Sequence, residues 1–124
     1  MPTDAPRISA PLEIRLLKAE KRLDIEFADG TRFSLPAEYL RVESPSAEVQ
    51  GHSQKERKTV PGRRHVGIMG VEPVGHYAIR LLFDDLHDTG IYSWEYLYRL
   101  GREQDGRWAA YLDALASKGM SRDP

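Results

Sequence analysis

The feature that most constrains this chain is a change of hydrophobic period at Tyr92. Before it, apolar residues recur at every second position; after it they fall at i, i+3 and i+4. Period two buries one face of a strand and period 3.6 buries one stripe of a helix, so strands come first and helices last. Leu12, Ile14 and Leu16 alternate with Glu13 and Arg15, and Leu23, Ile25 and Phe27 alternate with Arg22, Asp24 and Glu26. Asp29-Gly30 supplies a dipeptide suited to positive φ at both centres of a type I′ turn. Phe33 and Leu35 then resume the apolar face, which predicts an antiparallel meander over residues 12–35.

Pro36 has no N–H for a ladder and suits a helix start, so residues 36–41 read as one or two helical turns. From Ser44 to Gly62 the chain is polar and punctuated by Pro45, Gly51, Pro61 and Gly62, the composition of a long loop. A second β unit follows over residues 66–92. Val66 and Ile68 open it, Glu72-Pro73-Val74-Gly75 reads as a turn, and Tyr77, Ile79, Leu81 and Phe83 alternate. Ser93 is a good N-cap for a helix carrying Trp94, Leu97 and Tyr98 on one face, with Gly101 placed to end it. Asp105 reads as the cap of a second helix whose stripe is Trp108, Tyr111, Leu112 and Leu115. The fold class expected is α+β: a small single domain with two antiparallel β units, a three-strand meander plus a second hairpin, and C-terminal helices. Residues 1–11 read as a flexible leader, 12–117 as the domain and 118–124 as a tail.

At 124 residues the chain can bury a core without a metal or disulfide to staple it. It has no cysteine, so disulfides, thiolate zinc and cysteine-held iron–sulfur clusters cannot come from this chain. No apolar run nears the roughly 20 residues that span a bilayer, and the N-terminus lacks a basic and apolar signal pattern. The expectation is a cytoplasmic protein with no membrane role. A net charge of −1 gives no push toward nucleic acid.

The segment richest in chemistry is Asp84-Asp85-Leu86-His87-Asp88. Carboxylates and an imidazole are the ligand types of zinc and iron, which makes His87 with Asp85, Asp88 and Glu43 a candidate metal set. The bland reading is a turn whose aspartates bond their own backbone. The four histidines are dispersed, without HxH or HExxH spacing, and no phosphate loop or nucleophile elbow occurs. Ser44 and Ser46 lie near Glu43 and Glu48, but no base is paired with either serine in the sequence. The loop holds Lys55, Arg57, Lys58, Arg63 and Arg64 against Glu56, a surplus of four positive charges (five minus one). Such a patch could grip an anion or acidic partner, although no aromatic is interleaved to stack on bases. Trp94 and Trp108 read as core.

Three segments together carry a resemblance: Tyr39-Leu-Arg-Val-Glu-Ser-Pro-Ser-Ala-Glu-Val49, Val71-Glu-Pro-Val-Gly75, and Leu82 through Leu97 with the Phe-Asp-Asp-Leu-His-Asp-Thr-Gly-Ile-Tyr-Ser-Trp-Glu-Tyr run. They resemble the γ-butyrobetaine hydroxylase N-terminal-like domain family, whose stand-alone bacterial members have no established function. The resemblance spans about residues 12–101 and implies a compact α+β domain. In the hydroxylases this domain precedes a separate iron- and 2-oxoglutarate-holding domain; similar domains are attached to ATPases of the iron–sulfur carrier type. The hydroxylases hold zinc there through a C-x-C-x-x-C run and a distant histidine. Those positions fall on Ser44, Ser46, Val49 and His87 here, so three of the four implied ligands are replaced. The function expected is a non-catalytic accessory or protein-interaction domain, linked by analogy to metal-cofactor handling and acting through the 44–65 loop and the 84–90 turn. The alternatives are a weak zinc- or iron-binding domain centred on His87, and a small enzyme with an unrecognised site. No cofactor is expected, and the partner expected is another protein.

Overall fold

The computed structural model describes residues 8–50 and 58–124 of the chain. Strands β1 (Glu13–Leu17), β2 (Arg22–Glu26) and β3 (Arg32–Pro36) form one antiparallel sheet in that order. Helices α1 (Ala37–Val42) and α2 (Ala47–Gln50) follow. Strands β4 (Ile68–Val74), β5 (Ala78–Phe83) and β6 (Ile91–Ser93) form a second antiparallel sheet, and α3 (Trp94–Arg102) and α4 (Gln104–Ser117) complete the fold. The α+β class, the two β units and the terminal helices are those the periodicity predicts.

In the first sheet Leu16 faces Leu23, Leu23 faces Leu35 and Ile25 faces Phe33, so the apolar members of each strand share one side. That side meets the second sheet through Ile68, Ile79, Leu81 and Phe83, with Leu40 of α1 and Leu97 and Leu100 of α3 closing a single core. A smaller cluster of Val42, Tyr111 and Leu115 seats α4. Two buried tyrosines tie the layers: Tyr39 donates to the Leu100 carbonyl at 2.7 Å and Tyr92 to the Leu40 carbonyl at 2.6 Å.

Several local readings need correction. The β2–β3 turn is not type I′: among its residues only Gly30, at φ 87°, has positive φ. It is a three-residue loop in which Gly30 N–H reaches the Phe27 carbonyl. Glu72, Pro73 and Val74 stay in β4, which is an edge strand with β5 as its one partner, so Pro73 has no second neighbour to disappoint. Gly101 does not end α3. The helix runs one residue further, and a Cβ at Gly101 would sit 2.3 Å from Phe33 Cγ, so glycine is there to let the ring approach. Glu103, not Asp105, precedes α4, whereas Ser93 does cap α3 by accepting from Tyr96 N–H at 3.1 Å. Leu12, Tyr77 and Leu112 are exposed rather than on the core face.

The stretch read as loop contains α2, for which Ser46 Oγ accepts the Glu48 N–H at 3.1 Å. Residues 51–57 lie outside those described. The residues after them are pinned: the Val60 carbonyl accepts from Tyr111 Oη at 2.6 Å, and Gly62 and Arg64 N–H groups bond Ser121 and Arg122 carbonyls. Arg122 in turn grips the buried Glu38 with two nitrogens at 2.7 and 2.8 Å, so the segment read as a tail is docked on the body.

Candidate functional site

The α1–α2 connection and the β5–β6 turn meet edge to edge. α1 ends at Val42 because Glu43 leaves helical geometry, and Pro45 prevents its resumption before Ser46 starts α2. This delivers Ser44 and Ser46 side by side to the turn that carries His87 and Thr89. Ser44 Oγ lies 2.9 Å from His87 Nε2 and accepts the Ser46 N–H at 3.2 Å. Ser46 Oγ lies 2.8 Å from Thr89 Oγ1, which donates to Glu48 Oε1 at 2.7 Å.

Burial first, and then the positive charge of Arg41, hold the His87 imidazole below its ordinary pKa, against the opposing carboxylates of Glu48, Asp85 and Asp88. The neutral ring shares a hydrogen bond with the Ser44 hydroxyl at Nε2, and its Nδ1 lies 3.8 Å from Glu48 Oε2, beyond hydrogen-bond reach. Ser44 is thus paired with an imidazole, a partner the sequence reading did not give it, but among the described residues no carboxylate completes a triad through a hydrogen bond to that ring. The hydroxyl is also sealed. Ser44 has no exposed surface, and a Cβ at Gly90 would lie 2.6 Å from its Oγ. What the arrangement does chemically is clamp two segments of chain.

The candidate metal residues are not brought together. Asp85 Oδ2 accepts Arg41 Nε at 2.8 Å and has Arg63 Nε at 2.7 Å, while its Oδ1 accepts the His87 N–H. Burial would raise this carboxyl, but the His87 N–H, Arg41 and Arg63 outweigh it and hold the group below the usual carboxylate range. The buried Glu43 is held by Arg107 Nη1 at 2.9 Å. Arginines thus hold the Asp85 and Glu43 carboxylates; among the described residues Asp88 has no such partner, and no group of three His, Asp or Glu could hold a metal. Of the positions that the resemblance aligns with zinc ligands, Ser44 meets His87 directly, Ser46 bonds the neighbouring Thr89, and Val49 is buried in α2. Their donors, two hydroxyls and an aliphatic side chain, do not fit zinc.

Of the basic loop, Lys55 and Arg57 lie outside the described residues and Lys58 is exposed. Arg63 faces Asp85 and Arg64 Nε lies 2.5 Å from Asp123, so two of the five cations already have partners in the chain. Arg41 Nη1 and Arg63 Nε are buried without an aligned acceptor. Trp94 and Trp108 pack against the core as expected. What sequence reasoning missed is the Ser44–His87 pairing, because 43 residues separate the partners. The one signal for it was the resemblance, which set both at one zinc ion.

Two antiparallel sheets over a common core, with a polar clamp between α2 and the β5–β6 turn, define a small α+β domain. Residues 14–98 match the family described as γ-butyrobetaine hydroxylase-like, N-terminal, and the chain belongs to that family. A solution NMR structure is 49% identical over 95% of this chain and 93% of its own, with a TM-score of 0.84. A second, also by NMR, is 40% identical over 100% of this chain and 92% of its own, with a TM-score of 0.82. A crystal structure of a protein of unknown function in the DUF971 family, from Acidithiobacillus ferrooxidans, is 44% identical over 74% of this chain and 92% of its own; its TM-score is 0.63. No curated protein matches the chain. No helix among the described residues is long and apolar enough to cross a membrane.

Proposed function

We propose that this domain is a non-catalytic accessory module that binds another protein through the surface where a first segment, residues 44–50 and 58–65, meets a second, the 84–90 turn. The observation that carries this reading is the locking of those two segments onto each other. Ser44 bonds His87, Ser46 bonds Thr89, and Arg63 pairs with Asp85. A surface fixed in advance loses less conformational entropy when a partner arrives. The Ser44–His87 pair is sealed from solvent, which favours binding over turnover at this surface. The family's attachment to metal-dependent hydroxylases and cluster-carrier ATPases supports a role beside metal-cofactor enzymes, by analogy of fold.

A photo-crosslinking side chain tests the proposal in the cells from which the gene comes. Lys58, exposed on the first segment, is replaced by benzoylphenylalanine; Arg32, exposed on β3, serves as the control position. Irradiation is expected to give a discrete protein adduct from position 58 and none from position 32. Absence of an adduct at 58, or equal adducts at both, overturns the reading.

A further inference from the structure

The chain builds the same turn twice. In residues 27–31 the Phe27 N–H bonds the Thr31 carbonyl, the Gly30 N–H bonds the Phe27 carbonyl, and Asp29 Oδ1 accepts the Thr31 N–H at 2.9 Å. In residues 83–87 the Phe83 N–H bonds the His87 carbonyl, the Leu86 N–H bonds the Phe83 carbonyl, and Asp85 Oδ1 accepts the His87 N–H at 3.1 Å. The fourth residue is left-handed in both, at φ 87° for Gly30 and φ 72° for Leu86. Nothing lies within 4 Å of where a Gly30 Cβ would be, so glycine there answers a backbone requirement alone. Leu86 meets the same requirement with strain, and it is 84% exposed, so burial returns nothing for it. A strained residue that the fold does not use is a mark of a surface that something else uses.

Beside Leu86 the outer face of β4 and β5 dips into an open depression of about 520 Å³. Gly70 stands opposite Leu82 in the ladder, and its missing side chain keeps the floor low. The register slips between Ile68 and Gly70, and Met69 at that slip is 57% exposed. Met69 and Leu86 flank a floor of Gly70 and Leu82, with Glu72 and Asp88 also on the wall. No cation lines it. Arg80 is engaged by the Glu72 carboxylate and the Asp88 carbonyl, while the Asp88 carboxylate has no ion pair among the described residues.

We propose that this depression receives a segment of a partner protein that inserts an apolar side chain between Met69 and Leu86 and sets a lysine or arginine against Asp88. The proposal rests on the accessory-module reading above and names the chemistry of its partner. Methionine adapts its shape to the inserted group, the exposed leucine gains burial only in the complex, and the acidic wall selects a basic neighbour.

Random dodecapeptides displayed on phage and selected on the whole chain provide the probe. Enriched peptides are expected to pair an apolar residue with a nearby lysine or arginine. Synthetic copies should bind Leu86→Asn about tenfold more weakly or worse, a loss of roughly 1.4 kcal/mol. Asparagine accepts left-handed φ, so Leu86→Asn should melt no lower than the parent. Gly70→Leu fills the floor and should weaken the same peptides; its Cβ would meet only Leu82 Cδ1 at 3.7 Å, an ordinary contact. Asp88→Lys should remove the preference for basic residues. Acidic or unrelated enriched peptides, or binding indifferent to Leu86→Asn, overturn the proposal. So does a dimer in sedimentation equilibrium that Leu86→Asn dissolves, which would assign the face to a second copy of this chain. If the peptides ignore Leu86 while the adduct at position 58 persists, this inference fails and the accessory reading stands; loss of both removes both.

Discussion

The turns at residues 27–31 and 83–87 carry the same hydrogen bonds in different company. The first is wrapped in rings: Phe27, Phe33 and Tyr98 meet edge to face with centroids 5.0 to 6.0 Å apart, and Tyr98 Oη donates to Asp29 at 2.8 Å. The second is wrapped in polar groups, with Arg41 and Arg63 on Asp85 and Ser44 on His87. Ring packing holds a turn through dispersion and area and asks little of chemistry. A polar wrapping is held by named donors and acceptors, and it is there that the positions aligned by the resemblance with zinc ligands lie. Identical backbone geometry therefore leaves the side chains free to decide whether a turn only connects strands or also presents a surface. Gly30 does the first and Leu86 the second.

The change with the largest expected effect would convert the polar wrapping into a metal site. Ser44→Cys, Ser46→Cys and Val49→Cys together should let His87 complete a tetrahedral zinc site. Metal binding in small zinc domains is worth on the order of 10–16 kcal/mol, so the variant should gain several kcal/mol of stability with zinc and lose it to a chelator. One zinc per chain is expected by elemental analysis, and His87→Ala added to the triple variant should weaken it. The unmodified protein should keep its melting temperature in a strong chelator. Stoichiometric zinc in that unmodified protein, or a folded triple variant that ignores zinc, would break the correspondence between the two sites.

Much of this fold was legible because it is written in short-range pattern. The alternation from Ile14 to Leu35 and from Ile79 to Phe83, and Ser93 as a helix cap, are local facts that the tertiary structure kept. What was not legible depends on contacts far apart in sequence. Gly101 looked like a helix terminator, since no local signal reveals that Phe33 lies against it. Tyr77 fitted the period of its strand, yet it precedes the first residue of β5 and is exposed. For the site, His87 and the carboxylates of Asp85 and Glu43 were visible as residue types, but Arg41 and Arg107, which occupy those carboxylates, were not visible as their partners. The similarity of the two turns was hidden as well, because leucine in place of glycine gives no hint of left-handed backbone.

A middle-sized effect is expected from breaking the ring-packed side. In an exposed helix interior Gly→Ala stabilises by about 1 kcal/mol. At Gly101 the new Cβ would lie 2.3 to 2.4 Å from three atoms of the Phe33 ring. One of these is Cγ, which sits too close to the backbone to swing away cheaply. Gly101→Ala should therefore destabilise by about 2 kcal/mol in chemical denaturation, the sign opposite to propensity. Adding Phe33→Ala should make Gly101→Ala nearly neutral or favourable in that background, a coupling read directly from a double-mutant cycle. If the two effects simply add, the close approach does not constrain this side and the contrast with the polar turn loses half its basis.

The smallest effect expected belongs to the polar side and depends on pH. His87 has a folded pKa below its ordinary 6.5, chiefly because it is buried and then because Arg41 is near. The unfolded chain thus takes up the proton first as the solution is acidified. Stability tied to the neutral ring is fully present above about 6.5 and is lost as pH falls from there through the folded value. For one proton the slope cannot exceed about 1.4 kcal/mol per pH unit. Glu48, Asp85 and Asp88 face the ring and pull the other way, which narrows the window without reversing the sign. The lowered carboxyl of Asp85 acts in a separate window, below its ordinary 3.8, and does not confuse the measurement. Urea midpoints between roughly pH 5 and 7.5 should therefore fall with acid in the parent and fall less in His87→Gln, whose amide keeps a hydrogen-bonding group near Ser44 but has no proton to gain. The ring-wrapped turn has no titrating group in this range, so Tyr98→Phe should leave the slope of the parent unchanged. Equal slopes for the parent and His87→Gln would mean that the imidazole is as free to protonate in the fold as outside it, and the sealed clamp would have to be abandoned.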